Sequence, residues 1–233
     1  MSERVRGAIA LAPAPVASSL ALDLSAGDGL SSRMLAERGW RVVSTEYRTR
    51  KPGWIAVNLD NDLPFGTASF DLVMMLEVIE HLADIPHMLG EIARVMKPGA
   101  IAIVTTPNRL NVSSRIHYLL SGYYKGRRAP LAYKYRVADG RNWHVMGLND
   151  LHWIAWGAGL RMDALGRSRR KLRARILAPV LWPFIAGFSW MLYGRVKDPK
   201  QREINRELLG FMTSASLLMD ENIIMRFRKI EDR

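Results

Sequence analysis

Short apolar runs alternate along the first half of the chain with segments whose apolar residues recur every three or four positions, and glycine or proline turns separate them. Leu20 to Leu24 is a compact apolar run leading into a glycine-rich turn, the pattern of a buried strand. Leu30 to Arg38 has helical spacing, with serines near its start and Gly39 at its stop. Arg41 to Glu46 and Trp54 to Asn58 read as the next two strands. Phe70 to Met75 is a fourth, followed by a helix through Val95 that the Lys97-Pro98-Gly99 turn ends. Ala100 to Thr106 is the fifth. This alternation of strands and helices predicts a doubly wound parallel α/β sheet.

Beyond Pro107 the pattern loosens. Arg109 to Leu120 has helical spacing, and the region from Ser121 to Trp143 is basic, tyrosine-rich and irregular. Asn149 is positioned to cap a helix reaching Ala158, Leu160 to Leu165 is a sixth strand, and Asn222 to Phe227 a last one. The expected organisation is an N-terminal arm (residues 1–19), an α/β core (20–165), an insertion (166–220), and the final strand with its tail (221–233). Arg4 and Arg6 before a mild apolar run loosely imitate a secretory signal, but Pro13 and Pro15 interrupt it, so an arm is the better reading.

Charge sharpens this division. Residues 1–110 carry 11 Lys/Arg against 12 Asp/Glu, whereas residues 111–233 carry 23 against 10, so the net +12 of the 233-residue chain lies wholly in its second half. Such asymmetry points to nucleic acid, an anionic membrane surface or a phosphorylated substrate. The sequence has no cysteine, which excludes disulfides, thiolate metal sites and cysteine nucleophiles.

Asp23-Leu24-Ser25-Ala26-Gly27-Asp28-Gly29 joins a strand to a helix, where glycines let a ligand approach the backbone beside a helix N-terminus. Glu46, about 20 residues on at a strand end, is where a carboxylate can grip two ribose hydroxyls. A second constellation is Glu77, Glu80 and His81. If helical, their i, i+3, i+4 spacing puts them on one face just after the fourth strand. Two carboxylates and an imidazole there invite a divalent cation, with Mg²⁺ or Mn²⁺ among those compatible.

The blocks VNLDNDLPF (Val57 to Phe65), SFDLVMMLEVIEHL (Ser69 to Leu82) and VMKPGAIAIVTTPN (Val95 to Asn108), together with the glycine turn, resemble class I S-adenosylmethionine-dependent methyltransferases from about Leu20 to Asn108. The resemblance implies a Rossmann-like seven-stranded sheet and S-adenosylmethionine as cofactor. It places Asp23, Ser25, Ala26 and Gly27 around the methionine part, Glu46 on the ribose, Tyr47 near the adenine, and Asn58 and Leu59 at its rim, with Leu76 beside the cofactor. Ser25 stands where the family usually has glycine, so its backbone is expected at conventional angles. Asn58 stands where aspartate is common.

The ExxEH pattern is similar to the metal sites of small-RNA 3′-terminal 2′-O-methyltransferases and of ubiquinone-pathway O-methyltransferases. By that likeness Glu77, Glu80, His81 and His144 are the candidate metal ligands, and His81, His144 and Glu80 the candidate catalytic residues. His117 and His152 are lesser candidates, His152 reading as packing.

Ile176 to Tyr193 contains no charged residue and is flanked by Arg167, Arg169, Arg170, Lys171, Arg173 and Arg175 on one side and by Arg195 and Lys197 on the other. Because the last strand must rejoin the sheet, the segment cannot carry the chain across a bilayer. Pro179, Pro183 and Gly187 are expected to break it, giving a re-entrant or interfacial element at anionic headgroups. A buried hairpin or dimer contact is the alternative. The expected activity is O-methylation of a hydroxyl on a membrane-associated acceptor at the cytoplasmic face. A lipid-linked sugar comes first, because similar post-fifth-strand segments occur among glycan-modifying methyltransferases, and a prenylated quinone precursor second. The rivals are an RNA 2′-O-methyltransferase and a cofactor-binding regulatory or scaffold protein.

Overall fold

A computed structural model describes residues 3–122 and 146–230. His144, most of the Tyr118 to Arg136 stretch and the last three residues lie outside them. The chain begins with α1 (Glu3–Leu11), then runs through β1 (Leu20–Leu24), α2 (Leu30–Glu37), β2 (Arg41–Glu46), β3 (Ile55–Ala56) and β4 (Phe70–Leu76). A single 3₁₀ turn (Ile79–His81) precedes α3 (Ile85–Val95), β5 (Met96–Pro107) and α4 (Val112–Ser121). The second half contains α5 (Leu148–Gly157), β6 (Leu160–Leu165), α6 (Leu172–Tyr193), α7 (Pro199–Met212), α8 (Ala215–Met219) and β7 (Asn222–Lys229).

The seven strands form one sheet in the order β3-β2-β1-β4-β5-β7-β6. The five on the β3 side are parallel, while β7 runs antiparallel to both β5 and β6, so the sheet is mixed rather than all parallel. Alternation along the central strands feeds two cores. Leu22, Leu24, Val73, Met75, Ala102 and Val104 face α3 and α5, while Ala21, Leu72, Met74, Ile101 and Ile103 face α1 and α2. Burial on both faces is why these strands read as continuous apolar runs. Chain order reverses between β1 and β4, and open α/β sheets bind their ligands at the carboxyl ends of strands flanking that reversal.

Four expectations change. The N-terminal arm is a helix: Val5, Ala8 and Ile9 of α1 are buried against the β4 and β5 face. Gly7 is required there, since a Cβ on it would lie 2.0 Å from the Arg167 carbonyl oxygen. No continuous helix follows β4; Asp84 starts α3 by accepting the His87 N–H at 2.9 Å, so the chain turns between β4 and α3. The cap of α5 is Gly147 rather than Asn149, and Asp150 accepts the Gly147 N–H at 2.8 Å.

The fourth change concerns α6, which is one uninterrupted helix of 22 residues despite Pro179 and Pro183. Both prolines sit on its exposed side. The carbonyls they deprive of partners therefore face outward, where such a helix bends rather than breaks. This helix packs sideways on α4, α7 and α8.

Candidate functional site

At the carboxyl end of β1 the turn folds around Glu46. One carboxylate oxygen accepts the Gly27 N–H at 3.0 Å; the other accepts the Ser25 hydroxyl at 3.1 Å and the Tyr47 N–H at 2.9 Å. The turn is tied to β2 as well, through Ala26 N–H to the Thr45 carbonyl (2.9 Å) and Ser25 N–H to the Thr45 hydroxyl (3.2 Å). Contrary to expectation, Ser25 does not return to conventional angles: its φ is +57°, so the serine occupies the left-handed conformation that glycine adopts freely. The hydrogen bond to Glu46 holds it there.

Gly27 also has φ +57°, and a Cβ built on it meets nothing within 4 Å, leaving open space over the turn. Asp23 lies beneath, almost fully buried, and one of its oxygens accepts both the Ser31 and Ser32 hydroxyls at 2.6 Å. Burial raises its pKa against the opposing pull of those hydroxyls. Asp23 thus pins β1 to the start of α2 and does not face the crevice.

Tyr47 is 57% exposed beside the turn, Asn58 is exposed, and Leu59 is buried. The Asn58 side-chain oxygen accepts the Asp60 N–H at 3.1 Å, which orders the loop after β3. Lys51, which no sequence pattern singled out, reaches back to the glycine turn from the segment between β2 and β3. Its ammonium donates to the Gly27 carbonyl at 2.6 Å and lies 4.0 Å from the centre of the Trp54 ring.

At the end of β4, beyond Leu76, Glu77 has φ +58°. Its N–H reaches the Thr105 carbonyl at 3.1 Å and hydroxyl at 3.0 Å, and that hydroxyl donates back to the Glu77 carboxylate at 3.2 Å. Arg4 of α1 lies 3.4 Å from the same carboxylate. Burial, with the nearby Glu80 adding to it, pushes the Glu77 pKa up to about 7 even though Arg4 and Thr105 pull it down. Glu80 is also buried and its pKa is raised by burial, opposed in part by Thr106, Arg109 and Arg4.

The expected common face of Glu77, Glu80 and His81 does not form. Glu77 follows β4, Glu80 points inward toward Thr106 and Arg109, and His81 is exposed. Among the described residues, no group of three or more His, Asp or Glu side chains is placed to hold a metal ion. A divalent cation does not fit this arrangement, because Arg4 already balances Glu77. His144 lies outside the described residues. His117 shares a hydrogen bond with Ser121, and His152 is buried between Trp153 and Trp156 as a packing residue.

A cavity of about 410 Å³ lies beside this site, between α4, the N-terminus of α5 and the C-terminal ends of α6 and α7. Arg109 belongs to its wall and also neighbours Glu80, so the cavity adjoins the carboxyl ends of β4 and β5.

A strand-order reversal, a glycine turn at β1 and a carboxylate at the end of β2 define a Rossmann-like nucleoside-binding fold. Residues 1–165 match the methyltransferase domain family, and the chain belongs to it. A Mycolicibacterium smegmatis protein named as a probable S-adenosylmethionine-dependent methyltransferase is 33% identical over 102 residues, covering 40% of this chain and 39% of that protein. A ubiquinone biosynthesis O-methyltransferase of Caulobacter vibrioides is 31% identical over 112 residues, 42% of this chain and 44% of the relative. The chain therefore spans well under half of these relatives. The fold is also that of a solved S-adenosylmethionine-dependent methyltransferase from Archaeoglobus fulgidus, with TM-score 0.55 and 14% identity over 91% of this chain and 87% of the other. S-adenosylmethionine is the cofactor of this family, and the open space over Gly27 beside the Glu46 carboxylate fits a nucleoside with an amino-acid tail.

Proposed function

We propose that the protein methylates a hydroxyl oxygen of a membrane-borne acceptor at the cytoplasmic face of the membrane. A lipid-linked sugar of a surface-glycan pathway is the first choice and a prenylated quinone precursor the second. The observation that carries this reading is the apolar outer face of α6. Its buried positions are the small residues Ala174, Ala178 and Ser189. Leu177, Leu181 and Ile185 pack half-buried beside them, and further large apolar residues face outward, among them Ile176 (66% exposed), Phe184 (66%), Phe188 (64%) and Leu192 (68%). Leu119 and Leu120 at the end of α4 extend the exposed apolar surface.

A helix in water turns its apolar stripe inward. One that carries large apolar residues on its outer face as well, with arginines clustered at its start, matches the requirements of the boundary between acyl chains and anionic headgroups. By length and composition α6 can cross a membrane. Its sideways packing on α4, α7 and α8 favours lying in the interface plane instead.

In this reading the backbone of Ser25, Ala26 and Gly27 receives the methionine part of S-adenosylmethionine, Glu46 the ribose hydroxyls, and Tyr47, Asn58 and Leu59 flank the adenine, with Leu76 beneath. Bound there, the cofactor supplies a sulfonium methyl for in-line displacement, a reaction that depends largely on positioning. The chain's own contribution is to fix the acceptor oxygen and take its proton. Glu77, with its pKa near neutrality, is the group suited to that task. Glu80 and Arg109 set the field around it. His81, turned to solvent, is not.

The test is flotation with vesicles containing anionic lipid, paired with methyl transfer to a detergent extract of membranes. Co-flotation lost when Phe184, Phe188 and Leu192 are replaced by serine supports the reading; unchanged flotation of that variant sinks it. The excess of basic residues in the second half favours RNA as the alternative acceptor, and RNA binding that falls steeply with salt would turn the reading in that direction.

A further inference from the structure

The cavity beside the end of β5 has features that its apolar surroundings do not require. Two arginines, Arg109 and Arg115, line it together with Tyr118, Tyr193 and Asp150. Arg109 is almost fully buried. Arg115 is fixed along the wall, since its Nε donates to the Leu110 carbonyl at 2.6 Å. Among the described residues Asp150 is the one carboxylate in the lining, and it is committed to the start of α5, where it accepts the Gly147 N–H at 2.8 Å and the Asn149 amide at 3.2 Å. The described lining thus holds two guanidinium groups and one carboxylate, beside the positive end of a ten-residue helix. Burial raises the Tyr193 pKa, with Asp150 adding to the rise and Arg115 opposing it, so its hydroxyl stays protonated and able to donate.

Location adds a second, independent argument. Arg109 neighbours Glu80 at the carboxyl ends of the central strands, so one side of the cavity adjoins the proposed methyl-transfer site. Its other walls include Tyr118 near the end of α4 and Tyr193 at the end of α6, the two helices that expose Leu119, Leu120 and Leu192 outward. The cavity thus lies between the apolar surface and the crevice.

The geometry points to a binding subsite for the phosphate of a phosphorylated acceptor, gripped by Arg109 and Arg115 with the Tyr193 hydroxyl as a further donor. Arginine suits this role because its planar fork bonds phosphate oxygens in pairs. A phosphate held here lets the attached hydroxylated group extend toward Glu77, while any lipid tail leaves along the outward face of α4 and α6. The subsite deepens the proposed function by naming the acceptor's chemistry, and it rests on that function only for the origin of the phosphate, which a lipid-linked or a soluble compound can carry.

Calorimetric titration of the full chain with inorganic pyrophosphate tests the subsite itself. Binding that Arg115→Gln weakens by about tenfold or more, the loss expected when a charge-assisted contact is removed, supports it. Arg115→Lys should recover part of that loss, and circular dichroism melts of both variants separate lost binding from lost folding. Absence of pyrophosphate binding, or equal binding by the wild type and a folded Arg115→Gln protein, overturns the subsite.

The origin of the phosphate is read separately. Flotation compares phosphatidylcholine vesicles doped with a polyprenyl phosphate against vesicles carrying the same charge as phosphatidylglycerol. Preference for the polyprenyl phosphate, abolished by Arg115→Gln, supports a lipid-borne acceptor. Pyrophosphate binding without flotation on either vesicle keeps the subsite, assigns it to a soluble phosphorylated acceptor, and overturns the membrane reading alone.

Discussion

The glycine-turn half of the sheet and the α6 region obey different rules of burial. Around β1, β2 and β4 the apolar residues face inward, and the polar groups that reach the crevice are held by other polar groups: Glu46 by Ser25, Gly27 and Tyr47, and Glu77 by Arg4 and Thr105. Along α6 the inward stripe is apolar, with Ala174, Leu177, Ala178, Leu181 and Ile185, and the outer face is apolar too. The first region exposes few large apolar side chains at the crevice. The second exposes several, Ile176, Phe184, Phe188 and Leu192 among them. In the proposed function the difference has one cause, since the outer face of α6 meets lipid while the crevice meets water.

The sharpest way to break the comparison is to make α6 polar on its outer face. Phe184→Ser, Phe188→Ser and Leu192→Ser together should remove about 2 kcal/mol of membrane affinity per side chain, while thermal melting and cofactor affinity stay unchanged. A fall in melting temperature would show that this face is packed rather than free. Next in size, Glu46→Ala should weaken S-adenosylhomocysteine binding by about 3 kcal/mol, because it removes a carboxylate that both orders the turn and receives the ribose. Titration calorimetry reads this directly, and vesicle binding should be untouched.

Gly7 tests the seam between the regions, since α1 of the first half passes under the Arg167 carbonyl at the start of the insertion. Gly7→Ala should cost about 2 kcal/mol of stability in a urea melt, the usual scale for forced overpacking. A pH series tests the site itself. The Glu77 pKa, raised from 4.5 to about 7, means the folded protein keeps a proton that the unfolded chain has already released. Stability should therefore fall as pH rises through that window and level off above it, while turnover should rise as the carboxylate forms. Glu77→Gln should flatten the stability slope and abolish the rise in turnover. The smallest effect is expected for Ser25→Gly. Relief of the left-handed backbone, worth about 1 kcal/mol, offsets a hydrogen bond to Glu46 of about the same size, so melting should barely move.

Much of this molecule was legible because its signals are local. The strand cores at Leu22, Val73 and Ile103, the turn at Gly27 and its partner Glu46 follow from runs and spacings of a few to some twenty residues. The ExxEH spacing misled for an equally physical reason. Periodicity assumes a helix, but Glu77 follows β4 in a left-handed conformation and only Ile79–His81 form a short turn, so His81 turns to solvent away from the two buried glutamates. Pro179 and Pro183 misled because both lie on the exposed side of α6, where a proline can be accommodated by a bend instead of a break. Arg4 and Lys51 carried no signal at all, since each reaches its partner, Glu77 or Gly27, across a long stretch of chain.

The sequence by itself determined the order of the seven strands and of the helices between β1 and β6, the glycine turn with its acidic partner, and the split of charge between the two halves, because these depend on neighbours along the chain. Tertiary structure alone decided which way α6 presents its large side chains, which carboxylate at the end of β4 sits near neutrality, and which arginines line the cavity beside it. Orientation, desolvation and convergence arise between residues far apart in the chain, and a linear pattern does not hold them.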